Sequence, residues 1–78
     1  MEKRLSDMDY DEKGIVTRIE SKRFKARIAG MGIRIGKKLR MVTRQPIKGP
    51  VVVEVDMAEI SMGIGLARNI IVKLEVEE

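Results

Sequence analysis

Residues 70–77 read Ile70-Ile71-Val72-Lys73-Leu74-Glu75-Val76-Glu77. Ile70, Val72, Leu74 and Val76 alternate with Ile71, Lys73, Glu75 and Glu77, a period of two that predicts a strand. Immediately before it, Leu66-Ala67-Arg68-Asn69 predicts one helical turn, entered through Gly63 and Gly65, which break the preceding segment. That segment, Ala58 to Met62, reads as a short strand. Further back, Val51, Val53 and Val55 alternate with Val52, Glu54 and Asp56, another strand. Gln45-Pro46-Ile47-Lys48-Gly49-Pro50 predicts a turn, since Pro fixes φ and Gly permits unusual φ. Lys37 to Thr43 predicts a strand with Leu39 and Met41 on one face.

The first half adds one strand and one helix. Gly14 to Glu20 alternates, with Ile15, Thr17 and Ile19 on one face and Val16, Arg18 and Glu20 on the other. Ser21 stands where a helix N-cap would. Phe24, Ile28 and Met31 then follow at i, i+4 and i+7, the stripe of a short helix whose Lys22, Arg23, Lys25 and Arg27 face water. Gly30 and Gly32 suit its C-terminal exit. Short strands in so small a chain hide their edges best by curling. The expected fold is therefore mainly β: a five-stranded SH3-like barrel, one short helix inserted after the first strand, and a helical turn before the last. Residues 1–78 form a single domain.

A chain of 78 residues has room for one small core and no deep enclosed active site. It contains neither cysteine nor histidine. That removes disulfides, thiolate chemistry, most structural zinc sites and the side chain best suited to moving protons near neutral pH. No apolar run approaches the roughly 18 residues of a membrane span, and no signal peptide is evident, so a cytoplasmic location is expected. The net charge of +4 is unevenly spread. Ten bases and no acid lie between Ser21 and Val53, while all twelve acids lie in residues 1–20 and 54–78. Such segregation marks either a surface for an acidic partner, nucleic acid or anionic lipid, or a basic middle folded against acidic ends.

Most chemical motifs fail on inspection. Asp7-Met8-Asp9-Tyr10-Asp11-Glu12 starts like a calcium loop, but Glu12 and Arg18 stand where the loop needs Gly and Glu. Met31-Gly32-Ile33-Arg34-Ile35-Gly36-Lys37-Lys38 lacks the first Gly and the final Ser or Thr of a phosphate loop. Ser6, Ser21 and Ser61 have no histidine base, so no enzymatic activity is expected. Met31, Met41 and Met57 fall on predicted apolar faces and read as core filling rather than soft-metal ligands. Single-strand binders add stacking aromatics to their bases, and this chain has only Tyr10 and Phe24. Nucleic-acid binding is kept as an alternative but not expected.

Five segments in order resemble the ferrous iron transport protein A family, the FeoA-like domain. Leu5-Ser6-Asp7-Met8 opens like the family's leucine and short turn, and Gly14-Ile15-Val16-Thr17-Arg18-Ile19 is its glycine-bearing strand. Ile28-Ala29-Gly30-Met31-Gly32-Ile33-Arg34-Ile35-Gly36 resembles its L-x-x-L/M-G-I-x-x-G helix exit, and Gly49-Pro50-Val51 its G-P-V segment. Ile60-Ser61-Met62-Gly63-Ile64-Gly65-Leu66-Ala67-Arg68-Asn69-Ile70-Ile71-Val72 follows i-x-L-G-x-x-L-A-x-x-I-x-V, with Met for Leu. Asp9-Tyr10 and Ile35 replace residues that are often Pro-Gly and Pro in the family.

The resemblance implies a small cytosolic adaptor that regulates ferrous iron uptake by binding the cytosolic side of the membrane transporter FeoB. Similar domains end some metal-dependent repressors of the diphtheria-toxin-repressor type, so a transition-metal-responsive domain is a further alternative. No cofactor is required, and weak divalent metal binding, iron included, and homo-oligomerisation are left open. Docking is expected where the helix exit nears the Gly63 to Leu66 turn. Met31, Ile33, Arg34, Ile64 and Leu66 are the candidate contacts, with the alternative that they only seal the barrel.

Overall fold

A computed structural model describes residues 1–44 and 49–76. The elements run β1 (Glu2–Arg4), a 3-10 turn (Leu5–Asp7), β2 (Lys13–Ile19), α1 (Lys22–Gly30), β3 (Lys38–Arg44), β4 (Val51–Val55), β5 (Ala58–Met62), α2 (Ile64–Ala67) and β6 (Ile70–Leu74). All strand pairs are antiparallel, in the order β1-β6-β2-β3-β4-β5. The sheet rolls around one core in which Val16, Leu39, Met41, Val51, Val53, Val55, Ile70 and Val72 meet Leu5, Met8, Ile28 and Ile33. The mainly β architecture, the inserted helix and the helical turn before the last strand are as expected. Part of the expected turn, Gln45 to Lys48, lies outside the described residues.

Four features differ from the sequence reading. A sixth strand, β1, pairs with β6 through Glu2↔Lys73, Lys3↔Val72 and Arg4↔Ile71. None of its three residues is apolar, so it carries no hydrophobic period and is held by the ladder and by side-chain pairs such as Lys3 with Glu12 and Arg4 with Glu20. The helical turn begins at Ile64 rather than Leu66. The alternation of β2 is broken by a register shift between Val16 and Arg18, whose partners Val72 and Ile71 are consecutive. A bulge of this kind reverses which face the following side chains take. Val16 is therefore buried and Ile15 exposed, while Ile19, expected on the same face as Ile15, packs on the core.

The fourth difference is Met57. Placed by its sequence position on an apolar face, it instead occupies the tip of the β4–β5 hairpin and is 96% exposed. The hairpin closes at Val55↔Ala58, leaving the two-residue loop Asp56-Met57, with φ of 51° and 68°. Positive φ at both positions is the turn that matches the twist of the flanking strands and favours glycine second. Met57→Gly is expected to stabilise the domain by about 0.5–1 kcal/mol, the relief of left-handed strain less the added freedom of the unfolded chain. A rise of a few degrees in the thermal midpoint would show it; a fall would mean that the Met57 side chain makes a stabilising contact.

Of the two glycines expected to end the helix, Gly30 stays within α1 at ordinary φ and Gly32 makes the exit. The N–H groups of Met31 and Gly32 bond back to the carbonyls of Ile28 and Ala29, and Gly32 takes φ +87°. This turns the chain so that Ile33, its N–H on the Ile28 carbonyl, points fully into the core. Ser21 occupies the N-cap position without a side-chain capping bond.

Candidate docking groove

The stripe of α1 is only partly used by the core. Ile28 is completely enclosed, whereas Phe24 and Met31 pack against the core and remain half-buried. The reason is position: α1 lies at the rim of the rolled sheet, so the two flanking side chains keep one side uncovered. Facing them is the corner between β5 and α2. Gly63 and Gly65 stand there with open space above their backbones, since a Cβ at either would meet nothing within 4 Å. The result is a groove of about 500 Å³ lined by Phe24, Arg27, Met31, Pro50, Ser61, Met62, Gly63, Gly65 and Leu66.

Of the five residues chosen from sequence, Met31 and Leu66 line this groove. Ile33 is fully enclosed and offers no surface to a partner. Ile64 is half-buried against the core, and Arg34 is exposed; neither lines the groove. Sequence reasoning missed Phe24, Arg27, Pro50 and Met62. Phe24 and Arg27 were legible as the same helix face as Met31, at i−7 and i−4; Pro50 and Met62 needed the tertiary fold.

A larger hollow of about 560 Å³ is lined by Gly14, Ile15, Leu39 and Leu74 together with charged residues such as Lys38, Arg40, Glu54, Asp56 and Lys73. Its charges are of both signs and partly satisfy one another: Arg40 Nε lies 3.5 Å from Glu54. The smaller groove is taken as the docking candidate because it joins the half-buried face of α1 to the Gly63 to Leu66 turn.

Electrostatically the two sides of the molecule differ. On the sheet, acids and bases pair. Lys3 bonds Glu12 at 3.0 Å, Arg4 bonds Glu20 at 2.5 Å, Arg40 bonds Asp11 at 3.1 Å, and Lys37 pairs with Asp56. The Arg4 hydrogen bond holds the Glu20 carboxyl below the usual carboxylate range, and the Glu12 hydrogen bond raises the Lys3 ammonium. Bonds from Glu54 and Asp11 likewise raise the Arg40 guanidinium. Among the described residues α1 shows no such pair: the guanidinium of Arg23 lies 5.5 Å from the Phe24 ring centre, and Arg27 is the one charged residue among them that lines the groove. Among the described residues no three acidic side chains gather where they could hold a metal ion. No helix among them is long and apolar enough to cross a membrane.

Comparison with known proteins places this geometry among relatives. The family model described as the FeoA domain matches residues 3–74. A crystal structure of an iron uptake regulatory protein (FeoA) superposes with a TM-score of 0.88 at 28% identity, covering 96% of this chain and 99% of that one. A manganese-dependent transcriptional repressor superposes with a TM-score of 0.87 at 25% identity, covering 95% of this chain but 42% of the repressor. The zinc complex of FeoA from Stenotrophomonas maltophilia, described as a prokaryotic SH3 domain protein, gives a TM-score of 0.74 at 22% identity over 88% and 87% of the two chains. The fold is thus SH3-like. No curated protein matches the sequence.

Proposed function

The chain belongs to the FeoA domain family, and from that premise we propose that it is a small cytosolic, non-enzymatic regulator of ferrous iron uptake that docks a segment of the membrane transporter FeoB in the groove beside α1. The observation that carries the reading is the groove itself. Phe24 and Met31 present half-covered apolar surface above the buried Met62 and Leu66, around an opening that two glycines leave empty. Apolar side chains left half-covered at a concave site are the usual anchor for a partner segment. The absence of histidine and cysteine from the sequence leaves little for catalysis or soft-metal coordination. A zinc-bound relative supports weak divalent metal binding at most.

The test is recovery of the transporter by the tagged protein from detergent-solubilised membranes of its own cells, with and without nuclease. Nuclease-insensitive recovery is expected. Met31→Glu, which places a charge on the apolar wall, is expected to reduce it roughly tenfold. Recovery of only nucleic-acid-associated proteins, lost on nuclease treatment, would overturn the reading.

A further inference from the structure

The outward face of α1 is not used by the groove. Lys22, Arg23 and Lys25 lie on it, and Arg27 stands at its border with the groove, all four exposed, in a nine-residue helix without a single acid. None of them has an acidic partner among the described residues, whereas Lys3, Arg4, Arg18, Lys37 and Arg40 each do. Glu2, Asp9, Asp11, Glu12, Glu20, Glu54 and Asp56 thus pair with bases outside α1, and the helix keeps its charge. At about 100° per residue, Lys22, Ala26 and Gly30 form the outermost line of α1, opposite Phe24 and Ile28. Arg23 and Arg27 flank that line on one side and Lys25 on the other. Just past the helix, Ile35 beside Arg34 is 61% exposed.

We infer that α1 adheres directly to an anionic phospholipid surface through these cations. The inference goes beyond the docking reading, since it needs no transporter and uses the helix face turned away from the groove. Shape favours a bilayer. Lys22, Arg23 and Lys25 are spread around the exposed side of a helix and line no cleft, which suits many dispersed phosphates better than the carboxylates of one acidic segment. The small Ala26 and Gly30 let the helix approach a flat surface while the long cationic side chains reach the headgroups. Nucleic acid fits less well. Single-strand binders stack bases on exposed aromatics, and the one aromatic of the helix, Phe24, is half-buried with Arg23 beside its ring. Exposed Ile35 adds an apolar side chain to the cations, the pairing of signals that peripheral attachment uses.

Each base near an anionic leaflet raises partitioning roughly fivefold, and the attraction is screened within a Debye length. The experiment is flotation of the full chain with protein-free vesicles of phosphatidylcholine, with or without phosphatidylglycerol. Wild-type protein is expected to float with the phosphatidylglycerol vesicles at low salt, to be released at high salt, and to ignore pure phosphatidylcholine. K22Q/R23Q/K25Q, which leaves Arg27, Met31 and Leu66 intact, is expected to lose about a hundredfold in partitioning. Glutamine is a good helix former, so the helix persists, and circular dichroism checks this. K13Q/K38Q/K73Q removes the same charge from the outer sheet face and is expected to float nearly as wild type does. No flotation of the wild type, or equal loss in both triple variants, would overturn the inference. So would a short duplex or single strand of nucleic acid that displaces the protein from vesicles at equal phosphate. Because no transporter is present, failure here says nothing against the groove.

Discussion

Gly14→Ala is expected to destabilise the domain by about 3 kcal/mol or more and to lower its thermal midpoint by roughly 12–24 °C. Gly14 sits on the inner face of β2, opposite Leu39 of β3 and Leu74 of β6. A Cβ there would lie 2.4 Å from the Lys73 carbonyl oxygen and 2.5 Å from Cγ1 of Val72. Neither neighbour can swing aside. The first is backbone in the middle of the sheet, and Val72 is a β-branched side chain wholly enclosed in the core. Relief therefore requires β6 to move away from β2, stretching the ladder that also carries β1. For a domain of this size, whose whole stability is about 4–12 kcal/mol, that is a large fraction. Gly30→Ala is the matched control: its Cβ would meet nothing within 4 Å and it stands in a helix at ordinary φ, so alanine is expected to be neutral or mildly stabilising. Urea midpoints of the two variants decide the matter. Equal midpoints would mean that β2 and β6 can separate freely and that the close approach is not needed for the fold.

The contrast between these glycines marks the limit of what the sequence discloses. The sequence located β5 to the residue and β4 to within one, since Val51, Val53 and Val55 alternate without a break while Asp56 falls in the hairpin loop. The stripe Phe24-Ile28-Met31 located α1, and the Gly32 exit followed from its place after the last apolar position. What periodicity cannot carry is any feature defined by a partner strand. The bulges between Val16 and Arg18 and between Met41 and Thr43 exist only relative to β6 and β4. Gly14 is a glycine because Val72, far away in sequence, lies on it. Half of the groove was hidden for the same reason. Met31 and Leu66 were visible as apolar residues near glycine turns, but Pro50 and Met62 reach the groove only through the pairing of β4 with β5. Ile33 shows the converse error: a glycine-flanked isoleucine looks like a contact, yet the Gly32 turn drives it inward.

Filling the groove is expected to abolish docking without harming the fold. Gly65 offers the means, because it lines the groove, has open space where a Cβ would project, and does not take positive φ. Its carbonyl accepts a 2.9 Å hydrogen bond from the Asn69 side-chain amide, which a substitution at Cα leaves in place. In Gly65→Phe the ring is expected to lie over Met31 and Leu66, covering apolar surface now open to water. Thermal stability should be unchanged or slightly higher, since a helical glycine is replaced and apolar area is buried. Recovery of the transporter from solubilised membranes should fall by a hundredfold or more, roughly the loss of two central anchors. Gly65→Ala, too small to fill the opening, should recover it as wild type does. The block is cleaner than a charge on Met31, because Arg27 lines the same groove and can neutralise a new carboxylate. Undiminished recovery by a folded Gly65→Phe would move docking to another face. Normal flotation of the same variant on anionic vesicles would show that the cationic face of α1 acts apart from the groove.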